Sequence, residues 1–199
     1  MATTALFAEI LVVGLLAMPW FVLAVLSFTR VQLNALPDLQ GWEPLLLAVG
    51  LAFAYALGIV VDRLGDWAFE RWDEALSQSV RRSNAPGSDL PDRAELRFRL
   101  MHKAPPLVLE FLDYARSRRR ILRGVTVNSL LTLLVASGTV TLGPILGAQA
   151  IPTTAALSLS EVALVVGAGA IFGWWHIGRM YYQRSLVAYK LFGPGPEPP

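Results

Sequence analysis

Along the chain, long apolar runs alternate with charged segments. The runs cover residues 5–28, 44–61, 121–142 and 162–177. A hydrocarbon core ~30 Å thick takes about 20 residues of α-helix at ~1.5 Å rise each, and every run reaches or approaches that length with its flanking aromatics. The pattern therefore predicts an all-α fold: a polytopic membrane protein with four transmembrane helices. The first run reads as a retained anchor and not a secretory signal, because Met1-Ala2-Thr3-Thr4 carries no base and no small-x-small cleavage site follows.

Between the second and third runs, Trp67, Phe69, Trp72, Leu76 and Val80 keep near-helical spacing while Asp66, Glu70, Asp73, Arg81 and Arg82 occupy other faces. The second helix is thus expected to continue past the apolar run to about Arg82. Residues 83–91 concentrate Ser, Asn, Gly and two prolines and read as a flexible linker. A new helix is expected after Pro91, with Asp92 and Glu95 at its N-terminus and Leu96, Leu100 and Met101 on one face. Pro105-Pro106 interrupts it, and the pattern restarts at Leu107 and runs into the third span. The expected organisation is a first helix pair over 1–63, a cytoplasmic helical hairpin over 64–120, a second helix pair over 121–192 and a disordered Pro/Gly tail over 193–199.

Charge sets the expected orientation. Of 17 Lys and Arg, 13 lie from Arg63 to Arg123, three (Arg179, Arg184, Lys190) follow the last run, and Arg30 stands alone in the first connection. Basic residues favour the cytoplasmic side, so both termini and the central segment are placed in the cytoplasm, with connections 30–43 and 143–161 outside. Trp20 lies mid-span, whereas Trp42, Trp67, Trp72, Trp174, Trp175, Tyr181 and Tyr182 fall at expected headgroup depth.

Composition agrees with the windows: 54% of residues are hydrophobic, only 16% are charged, and there is no cysteine. Disulfides, thiolate metal sites and cysteine nucleophiles are excluded. A net charge of +2 is explained by the membrane-facing arginines, so no nucleic-acid partner is indicated. Fifteen Arg against two Lys point to a GC-rich bacterial source, and the expected location is the bacterial inner membrane. His102 and His176 have no third ligand at metal-binding spacing, and Walker, dinucleotide and serine-elbow motifs are missing. No metal, no cofactor and no catalytic residue is assigned.

Small residues mark helix-packing faces: Gly50, Ala54 and Gly58 in the second run, and Ala163, Gly167 and the Gly169/Gly173 step in the fourth. Charge near the bilayer centre costs at least ~2.5 kcal/mol, which singles out Glu9 in the first span. Asn128, with Ser129, Thr132, Ser137, Thr139 and Thr141, forms a thin polar line along the third span, able either to pack against neighbours or to face a pore. At the inner boundary Asp62, Arg63 and Asp66 close the second span, and Arg116, Arg118, Arg119, Arg120 and Arg123 introduce the third. The acids and Arg63 are candidate mouth charges of a channel; the arginines are candidate contacts for anionic lipid headgroups or a partner. The functional expectation is a homo-oligomeric channel-type protein or membrane effector whose cytoplasmic helices receive a protein or small ligand. The alternative is a membrane-embedded enzyme or accessory subunit acting on lipid headgroups.

Overall fold

The computed structural model describes residues 2–29, 41–84, 92–146 and 152–192. Linker residues 85–91, Arg30 and the 193–199 tail lie outside the described residues. Those described form five helices and no strand: α1 (Ala2–Thr29), α2 (Glu43–Asn84), α3 (Arg93–Lys103), α4 (Pro106–Leu146) and α5 (Thr153–Phe192). Four of them, all but α3, are long and apolar enough to cross a membrane.

Local chemistry sets the breaks. Asp92 caps α3 by accepting the Glu95 amide at 2.7 Å. Pro105 holds Ala104 extended (φ −78°, ψ 147°), which ends α3, and Pro106 opens α4 at the helix position where a missing N–H costs nothing. α1 continues through Pro19 without interruption. Helix also covers most of 143–161, where the polarity pattern had placed a connection. Its hydroxyls do not end the helix because they bond back to their own turn, as Ser160 Oγ does to the Ala156 carbonyl at 2.9 Å.

The chain folds as two compact units. The first comprises Met1–Trp67 and Ile121–Ile171. Its helices meet through small residues. A Cβ placed on Gly14 would lie 1.6 Å from the Ala54 carbonyl oxygen, and one on Gly58 would lie 2.0 Å from that of Ile10, so α1 and α2 touch backbone to backbone. Gly124 of α4 receives the Val13 side chain, and Gly167 of α5 receives Ser129. Van der Waals contact of this kind holds helices together where lipid removes the hydrophobic drive between them.

The second unit comprises Ala68–Arg120 and Phe172–Pro199, so the far half of α5, including the last residues of the fourth apolar run, packs with the central segment. Its core is apolar: Val80, Leu96, Leu100, Leu112, Leu186 and Ala188 are buried together, with Phe111, Tyr181 and Tyr189 around them. Full burial of each large aliphatic side chain contributes roughly 1.5–3 kcal/mol. Arg99 donates to the Tyr189 hydroxyl and Lys190 to the Asn84 carbonyl (3.4 and 3.1 Å), tying α5 to α3 and to the end of α2.

Candidate functional site

The first unit buries small and aliphatic side chains such as Val13, Ala17, Ala54 and Val61 together with four polar ones of α4, and its outer faces are apolar. Asn128 is 3% exposed; its Nδ2 donates to the Val13 carbonyl at 2.8 Å, and its Oδ1 accepts from the Trp20 indole at 3.0 Å. Thr126 and Thr132 are buried and bond back to the carbonyls of Leu122 and Asn128. Ser129 is buried against Gly167. Thr139 and Thr141 bond to carbonyls one turn earlier, while Ser137 is exposed. Of the line read along the third span, Asn128, Ser129 and Thr132 are buried within one copy, while Ser137 and Thr141 are exposed. Leu15, Leu16, Leu45, Leu47, Leu134 and Val165 stand exposed on the outer faces, Val165 at 71%.

The small-residue faces divide. Ala54 and Gly58 are consumed by α1, and Gly167 by α4, whereas an added Cβ at Gly50 or Gly169 would meet nothing within 4 Å. Gly173 is half-buried in α5.

At the end of this unit the Asp66 carboxylate accepts from Arg123 at 2.7 Å, and Arg63, with a largely exposed side chain, lies 3.8 Å from the same carboxylate. The pair joins α2 to α4, with Gly65 leaving room for the Arg123 stem 3.6 Å away. Asp62 and Glu9 are half-buried and each has an interaction of its own.

In the second unit a second acid–arginine pair joins the same two helices. Arg119, expected at the headgroups, is 7% exposed and ion-paired with Asp73. Asp73 also accepts from the Tyr182 hydroxyl at 3.0 Å. The guanidinium lies over three rings, Tyr182 at 5.0 Å, Tyr181 at 5.4 Å and Trp174 at 5.9 Å. Phe69 closes the side at 4.9 Å from Trp174. A desolvated cation attracted by π-faces and a carboxylate is held far more tightly than a surface pair. Trp174 Nε1 is buried and has no hydrogen-bond partner among the described residues.

The remaining arginines differ. Arg116 and Arg118 are exposed, Arg118 lying 5.0 Å over the Tyr114 ring, and Arg120 is half-buried. Partial burial, and after it the repulsion of Arg97 and Arg120, lowers the Arg116 pKa from its ordinary value, partly offset by Tyr181 and Asp113. No group of three or more His, Asp or Glu capable of holding a metal occurs among the described residues.

Sequence reasoning did not pick out Asp73, Trp174, Tyr181 and Tyr182 as one cluster. Only the order of the pairs was legible: Asp66 precedes Asp73 on α2 while Arg123 follows Arg119 on α4, the reversed order antiparallel helices require, although the spacings differ. The half of α5 that supplies the aromatic walls has no such signal. No protein-family model matches this chain, and neither a curated protein nor a solved structure is detectably similar to it.

Proposed function

We propose that this chain is a multi-pass protein of a bacterial inner membrane, with both termini cytoplasmic, that works as a homo-oligomeric membrane effector of channel type. In this reading the first unit forms the spans and the second receives a cytoplasmic protein or small ligand. The observation that supports it most is the apolar outer surface of the first unit around a few buried polar groups. Asn128, Ser129 and Thr132 face inward while Leu134 and Val165 face outward, the arrangement suited to lipid and not to water. Because those polar groups are engaged within one copy, a conducting path belongs between copies, and the open faces at Gly50 and Gly169 are where neighbouring spans would approach. The headgroup-enzyme alternative, which would use Asp62, Asp66 and the arginines from Arg116 to Arg123, has less support, since Asp66 is already held by Arg123 and Arg119 by Asp73.

The test is purification into nanodiscs, native mass measurement of the assembly, and ion flux from proteoliposomes. A closed ring with flux abolished by Gly169→Leu supports the reading. A monomer without flux overturns its channel part.

A further inference from the structure

The short helix α3 carries apolar side chains on two opposite faces. Leu96 and Leu100 are buried in the core of the second unit. Phe98 and Met101, on the far side, are exposed, Phe98 at 63%. Leu107, which follows in the first turn of α4, is the most exposed large apolar side chain described, at 78%. An interior helix needs one apolar stripe; a second one facing out calls for another apolar phase.

The surroundings of that second stripe are basic. On its flanks Arg97 is half-buried and His102 exposed, and Arg97 and Arg120 are near enough to Arg116 to repel it. Glu95 is occupied by Arg99 one turn on. Residues 92–120 hold eight bases and four acids. Aromatic and aliphatic side chains rimmed by cations match the boundary between acyl chains and anionic headgroups, where apolar groups enter and bases meet phosphates.

We infer that α3 docks on an anionic lipid surface, inserting Phe98, Met101 and Leu107 while Arg97 and Arg116 meet lipid phosphates. This rests on the first unit spanning the same bilayer, which keeps the surface at high effective concentration and lets three apolar side chains suffice. An acidic protein would also answer the charge, but three strongly exposed apolar side chains, Phe98, Met101 and Leu107, favour lipid. Docking would make the second unit responsive to headgroup charge.

The absence of native cysteine makes the test direct. Full-length protein with Ala94→Cys, an exposed position on the same face, is labelled with an environment-sensitive fluorophore. It is placed in nanodiscs of phosphatidylcholine alone or mixed with phosphatidylglycerol, with brominated lipid as quencher. Leu134→Cys, in the middle of the third apolar run, is the reference. The expected result is quenching at Ala94→Cys in anionic discs, lost with Phe98→Ser, and a docked fraction reduced roughly tenfold by Arg97→Glu. A wet Ala94 probe in both disc types, with Leu134 quenched, overturns the docking while leaving the spans standing. Equal quenching with and without phosphatidylglycerol overturns the headgroup part. An unquenched Leu134 probe would instead remove the membrane reading on which the proposal rests.

Discussion

The Trp20 indole and the Asn128 carboxamide meet at 3.0 Å across 108 positions of sequence, and the same amide reaches the Val13 carbonyl. Two polar side chains in apolar helices thereby satisfy each other and fix the register of α1 against α4. Removing one partner leaves the other exposed to a phase that cannot hydrogen-bond it. Asn128→Leu is expected to lower stability by about 1–2 kcal/mol, and Trp20→Phe by somewhat less. The combined variant should fall short of the sum, measured as unfolding in mixed micelles. Strict additivity would mean that the hydrogen bond carries no coupling.

The close approach of α1 and α2 makes a second expectation. Gly14→Leu or Gly58→Leu puts a side chain where the Ala54 or Ile10 carbonyl now sits, and backbone cannot yield cheaply. Both variants should aggregate or lose their melting transition. Gly50→Leu, in open space, should fold normally, and a comparable defect there would contradict the packing described.

The buried Arg119 pair behaves differently from the boundary pair at Asp66. Asp73→Asn or Arg119→Gln leaves a desolvated charge without its counterpart and should cost about 3–5 kcal/mol. Arg119→Lys should rescue only partly, because an ammonium lacks the planar face that lies over Tyr181 and Tyr182. Thermal melting of the three variants, with Tyr182→Phe as the milder fourth, would check the order. Equal melting points for Arg119→Gln and the parent would remove the pair from any structural role.

Asp66 is the place to separate mouth charge from ion pairing. If the carboxylate only steadies Arg123, Asp66→Asn lowers the melting temperature and leaves flux per assembled particle unchanged. If it also lines a mouth, selectivity between cations and anions shifts in variants that assemble normally. Reversal potentials measured beside detergent melting distinguish the two outcomes, and Asp62→Asn serves as the parallel case.

Orientation can be checked with single cysteines, since the parent has none. Labels at Gln78→Cys and Lys190→Cys should react with impermeant maleimide in inside-out vesicles and stay protected in intact cells. Labelling of either from outside would overturn the placement drawn from the basic residues.

The number and type of elements were legible in the sequence because they depend on local quantities. Four apolar runs, the Asp92 cap and the Pro105-Pro106 break each act within a few residues, and α2 through α4 follow them closely. Composition likewise carried the membrane expectation, since apolar surface area is a sum over side chains. Partnership is different, because it is a property of distances between helices. Nothing near Asn128 in the chain says whether it faces a pore or Trp20, and nothing near Gly58 says that Ile10 closes on it while Gly169 stays open. The polarity of α5 is continuous through Ile171, so only the tertiary arrangement assigned its far half to the second unit and put Trp174, Tyr181 and Tyr182 around Arg119. Local periodicity selects helices; the burial of a charge is decided only when three of them meet around it.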